Sequence, residues 1–464
     1  MARFQKIFSS LILLGISTSA CLADEYTLPV ETDAERRLRS LNSGLEPHFV
    51  ELTDGVFVAS GYGVSTFSFI VGDNGVVVID SGAAPPTTAN ALTELRKHTD
   101  LPIAAIIFSH GHGDHTGGAP GLFEDDGSPE IWARDDFGVE GEAFATAGIT
   151  VNALRGRRQA GFLLPGELRI NNGIAPALRP GGGAPTGFQS QHEPVVPTHT
   201  FGEQRKIVEI AGVELELVAA PGETDDQLYV WYPDKRVVFS GDNLYMSWPN
   251  IYAIRGTPYR DARAWAIALD KMLAEKPEHL VPGHTLAVSG STAVAGLLTS
   301  YRDGIQYVFD KTVEGINKGL TPDQLVSYVN LPDELASHPY LQPYYGHPEW
   351  AVRSIFSGYL GWFDGNPTNL HKLSTVDHAE RMAALAGGPD VLLERANAAL
   401  AEGDAQWASE LCDYLIALGE HDFDAMLIKA NALEILGRNS INALARNYYL
   451  TSAQELRGKA APDH

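Results

Sequence analysis

"IAAIIFSHGHGDHTGG", Ile103 to Gly118, is the stretch that decides the fold. Its first half is a short run of apolar residues ending at Ser109, the pattern of a buried strand. Its second half presents His110, His112, Asp114 and His115 in quick succession. Imidazole and carboxylate are donors that zinc accepts, and His-x-His sets two imidazoles side by side as the chain leaves a strand. Packing alone does not gather four such groups, because an uncompensated polar cluster at a strand end costs stability. Single histidines elsewhere, such as His98, His279 and His421, read as ordinary surface or core residues.

Outward from this turn, between about Val56 and His284, strand-like runs ("GVFVAS", "FSFIVG", "GVVVIDSG", "RVVFSGDN") alternate with helical stretches such as "TTANALTELRKHT". Such alternation predicts an α/β layer architecture. Asp80, the histidine turn, Glu223 in "APGETDDQLYVWYP" (Ala220–Pro233), Asp242 in "VVFSGDN" and His284 in "LVPGHT" each follow an apolar run. Their side chains are therefore expected at one edge of the sheets.

In this order of motifs the chain resembles the metallo-β-lactamase fold superfamily, which implies a four-layer αββα domain holding two metals. Most members place a histidine where Glu223 stands, whereas the alkylsulfatase family places glutamate there or next to it. "YYGHPEWAVRSIFSGYLGWFDGNPTNLHKL" (Tyr344–Leu373) and "RNYYLTSAQELRG" (Arg446–Gly458) resemble that family's second half, an all-α dimerisation domain. The resemblance covers roughly residues 45 to 458. It implies two Zn²⁺ per subunit, the first held by His110, His112 and Glu223 and the second by Asp114, His115 and His284. Asp242 would bridge them together with a hydroxide, and Asp114 and Asp242 are the catalytic candidates. The activity implied is hydrolysis of alkyl sulfate esters, with a homodimer formed through the helical domain.

"NIYAIRG" (Asn250–Gly256) resembles the segment that grips the sulfate, so Asn250 and Arg255 are the substrate-binding candidates; the planar fork of arginine suits a tetrahedral oxyanion. Taken alone, Arg255 also reads as a structural ion pair and Asn250 as a turn residue. Three departures stand out. Pro249 replaces a histidine, Asp242 replaces a longer glutamate, and the sequence ends at His464 without the sterol-carrier-like domain of longer members. The last predicts less apolar cover for a long alkyl tail. The alternatives are another ester or amide substrate on the same fold, such as a β-lactam or a phosphodiester, and a non-catalytic dimeric binding protein. The aromatics of "YLQPYYGHPEW" and "YLGWFDGNP" are read as packing rather than as a substrate mouth.

Composition bounds these readings. The chain has 464 residues, enough for two or three domains, and 34 Lys+Arg against 58 Asp+Glu give a net charge of −24. Such a field argues against nucleic acid or anionic membrane as a partner, while leaving room for a small anionic substrate held by local cations. The opening residues carry Arg3 and Lys6, an apolar run from Ile7 to Ile16 and then small residues, the layout of a secretory signal at 1–23. The run is too short to span a membrane. Export to the periplasm or beyond is therefore expected, with lipidation at Cys21 as a second option. Cys412 falls in a helical apolar pattern and reads as inert core.

The catalytic domain is drawn at 24–298 and the helical domain at 299–464. Leu163 to Thr200, rich in Pro and Gly, reads as a long surface excursion. "RANAALAEG" (Arg395–Gly403) echoes in "KANALEILG" (Lys429–Gly437), a period of the kind seen in helical-hairpin repeats.

Overall fold

The computed structural model describes residues 30–123, 128–177 and 195–460. The signal segment, Cys21 and the Gly/Pro-rich run around residues 178–194 lie outside the described residues. Two sheets form the centre. The first runs β1 (His48–Thr53), β2 (Val56–Ser60), β3 (Phe67–Val71), β4 (Val76–Ile79), β5 (Ile103–Ile107), β6 (Glu130–Arg134) and β7 (His199–Phe201), in that spatial order. It is antiparallel through β4 and parallel from β4 to β7. The second contains β8 (Arg205–Ile210), β9 (Val213–Ala219), β10 (Leu228–Tyr232), β11 (Val237–Phe239), β12 (His279–Val281) and β13 (Val288–Ser289), again adjacent in chain order, with β11 and β12 parallel.

Val58, Val77, Ala105 and Ile107 from one sheet meet Leu215, Leu217, Val230 and Phe239 from the other in a single apolar layer. The outer faces are covered by helices. Ala91 and Leu95 of the helix Pro85–Leu95 pack on the first sheet, and Trp265, Leu269 and Met272 of the helix Ala262–Ala274 on the second. This is the αββα sandwich, followed among the described residues by helices only.

The parallel pairs decide where the site lies. Ile79 is in register with Ile107, and Phe239 with Val281, so the chain leaves β4 and β5 in one common direction and β11 and β12 in another, and the two pairs of ends meet, with Asp242 beside His115. The residues that follow, Asp80, Ser109–His115, Asp242 and His284, therefore collect at one end of the sandwich.

The helix Ser291–Asn317 runs through residue 298 and buries Leu298, Tyr301, Ile305 and Val308 in the core under the second sheet. The sequence echo falls on equivalent helices. Pro389–Ala401 and Asp422–Arg438 each open a helical hairpin, closed by Ala405–Leu418 and Ala443–Ala460. Cys412 is buried there, and burial pushes its thiol up to about 12. The expected surface excursion differs from what the structure shows between 163 and 177. Leu164, Ile170, Ile174 and Ala175 are buried, and Ile170 packs with Leu38, Leu41, Leu45 and Ala443. Apolar side chains scattered through a Pro/Gly-rich stretch anchor it where no periodicity announces burial.

Candidate metal centre

His110, His112 and Asp242 form one donor group, and Asp114, His115 and His284 another; within each group the donor atoms lie within 4.8 Å of one another. Asp242 stands between the two. Its Oδ1 is 3.0 Å from His115 Nε2 and 3.1 Å from His284 Nε2, and its Oδ2 is 3.8 Å from His110 Nε2.

The far sides of three of the rings are held by protein. His115 Nδ1 meets Asp80 Oδ2 at 2.8 Å, His284 Nδ1 meets the Val64 carbonyl at 2.7 Å, and His110 Nδ1 meets Ser109 Oγ at 2.9 Å. Asp80 also accepts from the backbone and hydroxyl of Ser109, and it does so from a left-handed backbone conformation (φ 59°), strain of the kind that collects at functional sites. Rings fixed through Nδ1 present Nε2 towards the centre.

Those inward atoms, His110 Nε2, His115 Nε2 and Asp242 Oδ1, are buried, and although they approach one another none makes a well-aligned hydrogen bond. Buried polar atoms almost always have partners. Convergent orphans of this chemistry fit a pair of metal ions, so the donor set suits the group that the resemblance implied. Burial, with the His115 and His112 rings beside it, holds His110 well below the ordinary histidine range. Burial opposes ionisation of Asp242, but the charges of His115 and His284 outweigh it and keep the carboxyl well below its usual range.

Glu223 belongs to neither group by distance. It is buried on the wall of the same cavity, where Arg260 Nη1 donates to its Oε1 at 2.5 Å and the Tyr245 hydroxyl to its Oε2 at 3.2 Å. Burial pushes its carboxyl up, the nearby Asp242 adds to this, and Arg260 opposes it.

Arg255 also lines the cavity, which measures about 730 Å³. Its guanidinium is 3.1 Å from Glu140 Oε1, and its backbone N–H donates to Gln159 Oε1 at 2.9 Å. Asn250 is 1% exposed and lies behind the wall. Its N–H donates to Tyr245 Oη at 2.7 Å, its carbonyl accepts from Arg260 at 2.8 Å, and its Oδ1 has no partner. The rest of the wall is mixed: Asn152, Arg157 and Asn172 are polar, while Phe144, Ile149 and Leu154 from the segment after β6, and Leu444 from the helix Ala443–Ala460, form an apolar side. Tyr345 lines the cavity too, whereas Trp362 is 74% exposed, so the two aromatic motifs part company.

Glu140, Arg260, Tyr245 and Gln159 are the functional neighbours that the sequence did not single out. Glu140 is 3.5 Å from His112 Nε2 and 3.6 Å from Arg260 Nη2. Burial opposes its ionisation, but His112, Arg260 and Arg255 hold its carboxyl far below the usual range. Asp226, in the same loop as Glu223, accepts from the backbone N–H groups of both Gly111 and Gly138. It thereby ties the histidine turn to the start of the helix carrying Glu140. Gly111 is required there, since a Cβ would lie 2.6 Å from Gly138 Cα. Similarly, a Cβ on Gly346 would lie 2.1 Å from the Pro249 carbonyl, so this glycine of the second-half signature lets that segment close on the site.

Comparison with known proteins agrees with this geometry. Residues 61–284 match the metallo-beta-lactamase superfamily, and residues 321–459 match the alkyl sulfatase dimerisation family. The chain is 36% identical over 400 residues to a linear primary-alkylsulfatase of Pseudomonas sp., covering 84% of this chain and 73% of that protein. It is 30% identical over 419 residues to an (R)-specific secondary-alkylsulfatase of Pseudomonas sp., covering 88% of this chain but only 62% of that protein. The solved structure of the stereoselective inverting sec-alkylsulfatase Pisa1 from Pseudomonas sp. superposes with a TM-score of 0.83 at 29% identity, over 95% of this chain and 70% of that one.

Proposed function

The chain belongs to the alkylsulfatase family of the metallo-beta-lactamase superfamily, and from that premise we propose that it hydrolyses alkyl sulfate esters to sulfate and an alcohol at a two-zinc centre. The observation that carries this reading is one cavity that combines two adjacent donor groups, with Asp242 of the first beside His115 and His284 of the second, a guanidinium on its wall and an apolar side.

His110, His112 and Glu223 would hold one ion and Asp114, His115 and His284 the other, with Asp242 between them. Metal ions bound there supply Lewis acidity and activate water at neutral pH. The protein supplies the rest. Arg255 offers its fork to the sulfate oxygens, and Asn250 fixes the turn that carries it. Asp114, on the cavity wall beside the same centre, is our candidate to take the proton of an attacking water. Phe144, Ile149, Leu154 and Leu444 cover the alkyl tail, each buried CH₂ adding about 0.8 kcal/mol.

We further propose a homodimer built on the helical region, where Leu360, Trp362, Leu370, Leu373 and Val376 are exposed. Export directed by the segment 1–23, and the division into units at 24–298 and 299–464, complete the proposal. No helix among the described residues is long and apolar enough to cross a membrane.

The test is sulfate release by zinc-loaded protein from alkyl sulfates of graded chain length, with a β-lactam and a bis-nitrophenyl phosphate alongside. Release that rises with chain length is expected. Turnover of either control with no sulfate release overturns the reading.

A further inference from the structure

The helix Val139–Thr146 buries none of its own residues, yet it stands on the cavity wall. What it brings there is the Glu140 carboxylate, 12% exposed, beside Arg255 at 3.1 Å and Arg260 at 3.6 Å. Arg260 is paired on its other side with Glu223. Arg255 and Arg260 thus face Glu140 and Glu223, and within this set of four the charges cancel; Arg157, also on the cavity wall, lies outside it.

A guanidinium placed only to attract anions as strongly as possible would not share its charge with a carboxylate in direct contact. The cancellation also falls unequally on different ligands. Repulsion from a fixed carboxylate scales with the ligand's own charge, so a dianion loses twice what a monoanion loses at the same place. A sulfate monoester carries one negative charge, and a phosphate monoester of the same shape carries close to two near neutrality.

We propose that Glu140 is a specificity-determining residue that makes this cavity select singly charged tetrahedral esters over doubly charged ones. The proposal rests on the reading of Arg255 as the contact for the anionic head. Glu140 also holds Arg255 in place; loss of that support costs the dianion more than the monoanion and moves the ratio away from phosphate, whereas loss of the carboxylate's own charge moves it towards phosphate.

The experiment titrates zinc-loaded wild type, Glu140→Gln and Glu140→Asp calorimetrically with decane sulfonate, a monoanion that cannot be hydrolysed, and with decyl phosphate. The titrations are run at about pH 8, above the second phosphate pKa of roughly 6. In Glu140→Gln the ratio of the two dissociation constants is expected to move towards decyl phosphate by about tenfold or more. Glu140→Asp, which keeps the charge, leaves the ratio near wild type. Glu140→Thr, a second neutral variant, carries the same expectation as Glu140→Gln and replaces it should that protein not fold. A wild-type ratio in either neutral variant overturns the proposal. A wild-type protein that binds decane sulfonate but releases no sulfate from decyl sulfate overturns the sulfatase reading and leaves the ratio test standing. One that binds neither probe overturns both.

Discussion

Glu223 has both carboxylate oxygens engaged, Oε1 by Arg260 and Oε2 by Tyr245. As a metal ligand it would share its charge with Arg260. As a counter-ion only, it would leave the first ion to His110, His112 and Asp242. Glu223→Gln separates the two, because it keeps the shape and removes the charge. A ligand role predicts fewer than two zinc ions per chain by atomic emission, a loss larger than the ~10–100-fold in affinity that follows removal of an outer partner. Two retained ions with an unchanged rate would make Glu223 the counter-ion of Arg260. The histidine turn was legible because its donors sit together on one short stretch, and Asp242 and His284 because each ends an apolar run. Glu140 was not legible, since Arg255 lies 115 residues away and only folding brings them together. Nothing in "GVEGEAFATAG" distinguishes that glutamate from a solvated one.

At the scale of elements, the helix Val151–Gln159 acts as a clamp. Arg155 donates to the Ile254 carbonyl at 2.6 Å, Gln159 accepts from Arg255 N–H, and Asn447 of the last helix donates to the Gln159 carbonyl at 3.1 Å. The same helix is held to the helical region by Arg158, which pairs with Glu455 through two contacts of 3.1 and 2.8 Å. These bonds differ in burial, and burial decides their worth. Gln159→Ala leaves the Arg255 N–H without its partner, a cost of about 1–3 kcal/mol. It is also expected to raise KM for alkyl sulfates by releasing the turn. Arg158→Ala breaks a partly exposed pair and costs about 0–1 kcal/mol. Urea denaturation of both variants, with steady-state kinetics, checks the order. Equal losses would show that the clamp does not depend on burial. The sandwich itself could be read from its apolar strand runs. The clamp could not, because it is made of polar contacts between segments with no shared pattern. For the same reason residues 163–177 were misread, their buried Leu164 and Ile170 following no strand or helix period.

At the scale of the molecule, the first described helix, Asp33–Ser40, is tied to the last two. Glu35, 7% exposed at its side chain, meets Arg438 through Nε at 3.0 Å and Nη2 at 2.9 Å, and Arg446 at 3.4 Å. Thr32 adds a hydroxyl bond to the Arg438 carbonyl. Burial pushes the Glu35 carboxyl up, but hydrogen bonds from Arg438 and the Thr32 backbone, with the charges of both arginines, outweigh it and leave the pKa below the ordinary 4.5. A carboxyl depressed in the folded state stabilises it fully above the unfolded pKa, and loses that effect as pH falls through the folded value. The contribution is therefore constant near neutrality and declines below about pH 4.5. Glu35→Gln removes the charge and leaves Arg446, 2% exposed, without its carboxylate, a cost of about 3–5 kcal/mol for breaking a buried pair. Thermal melting of wild type and Glu35→Gln across pH should show a wide gap at neutrality that narrows as pH falls below that value. A gap that stays constant would mean that Glu35 contributes shape rather than charge, and that this helix is held to the last two by packing and uncharged hydrogen bonds.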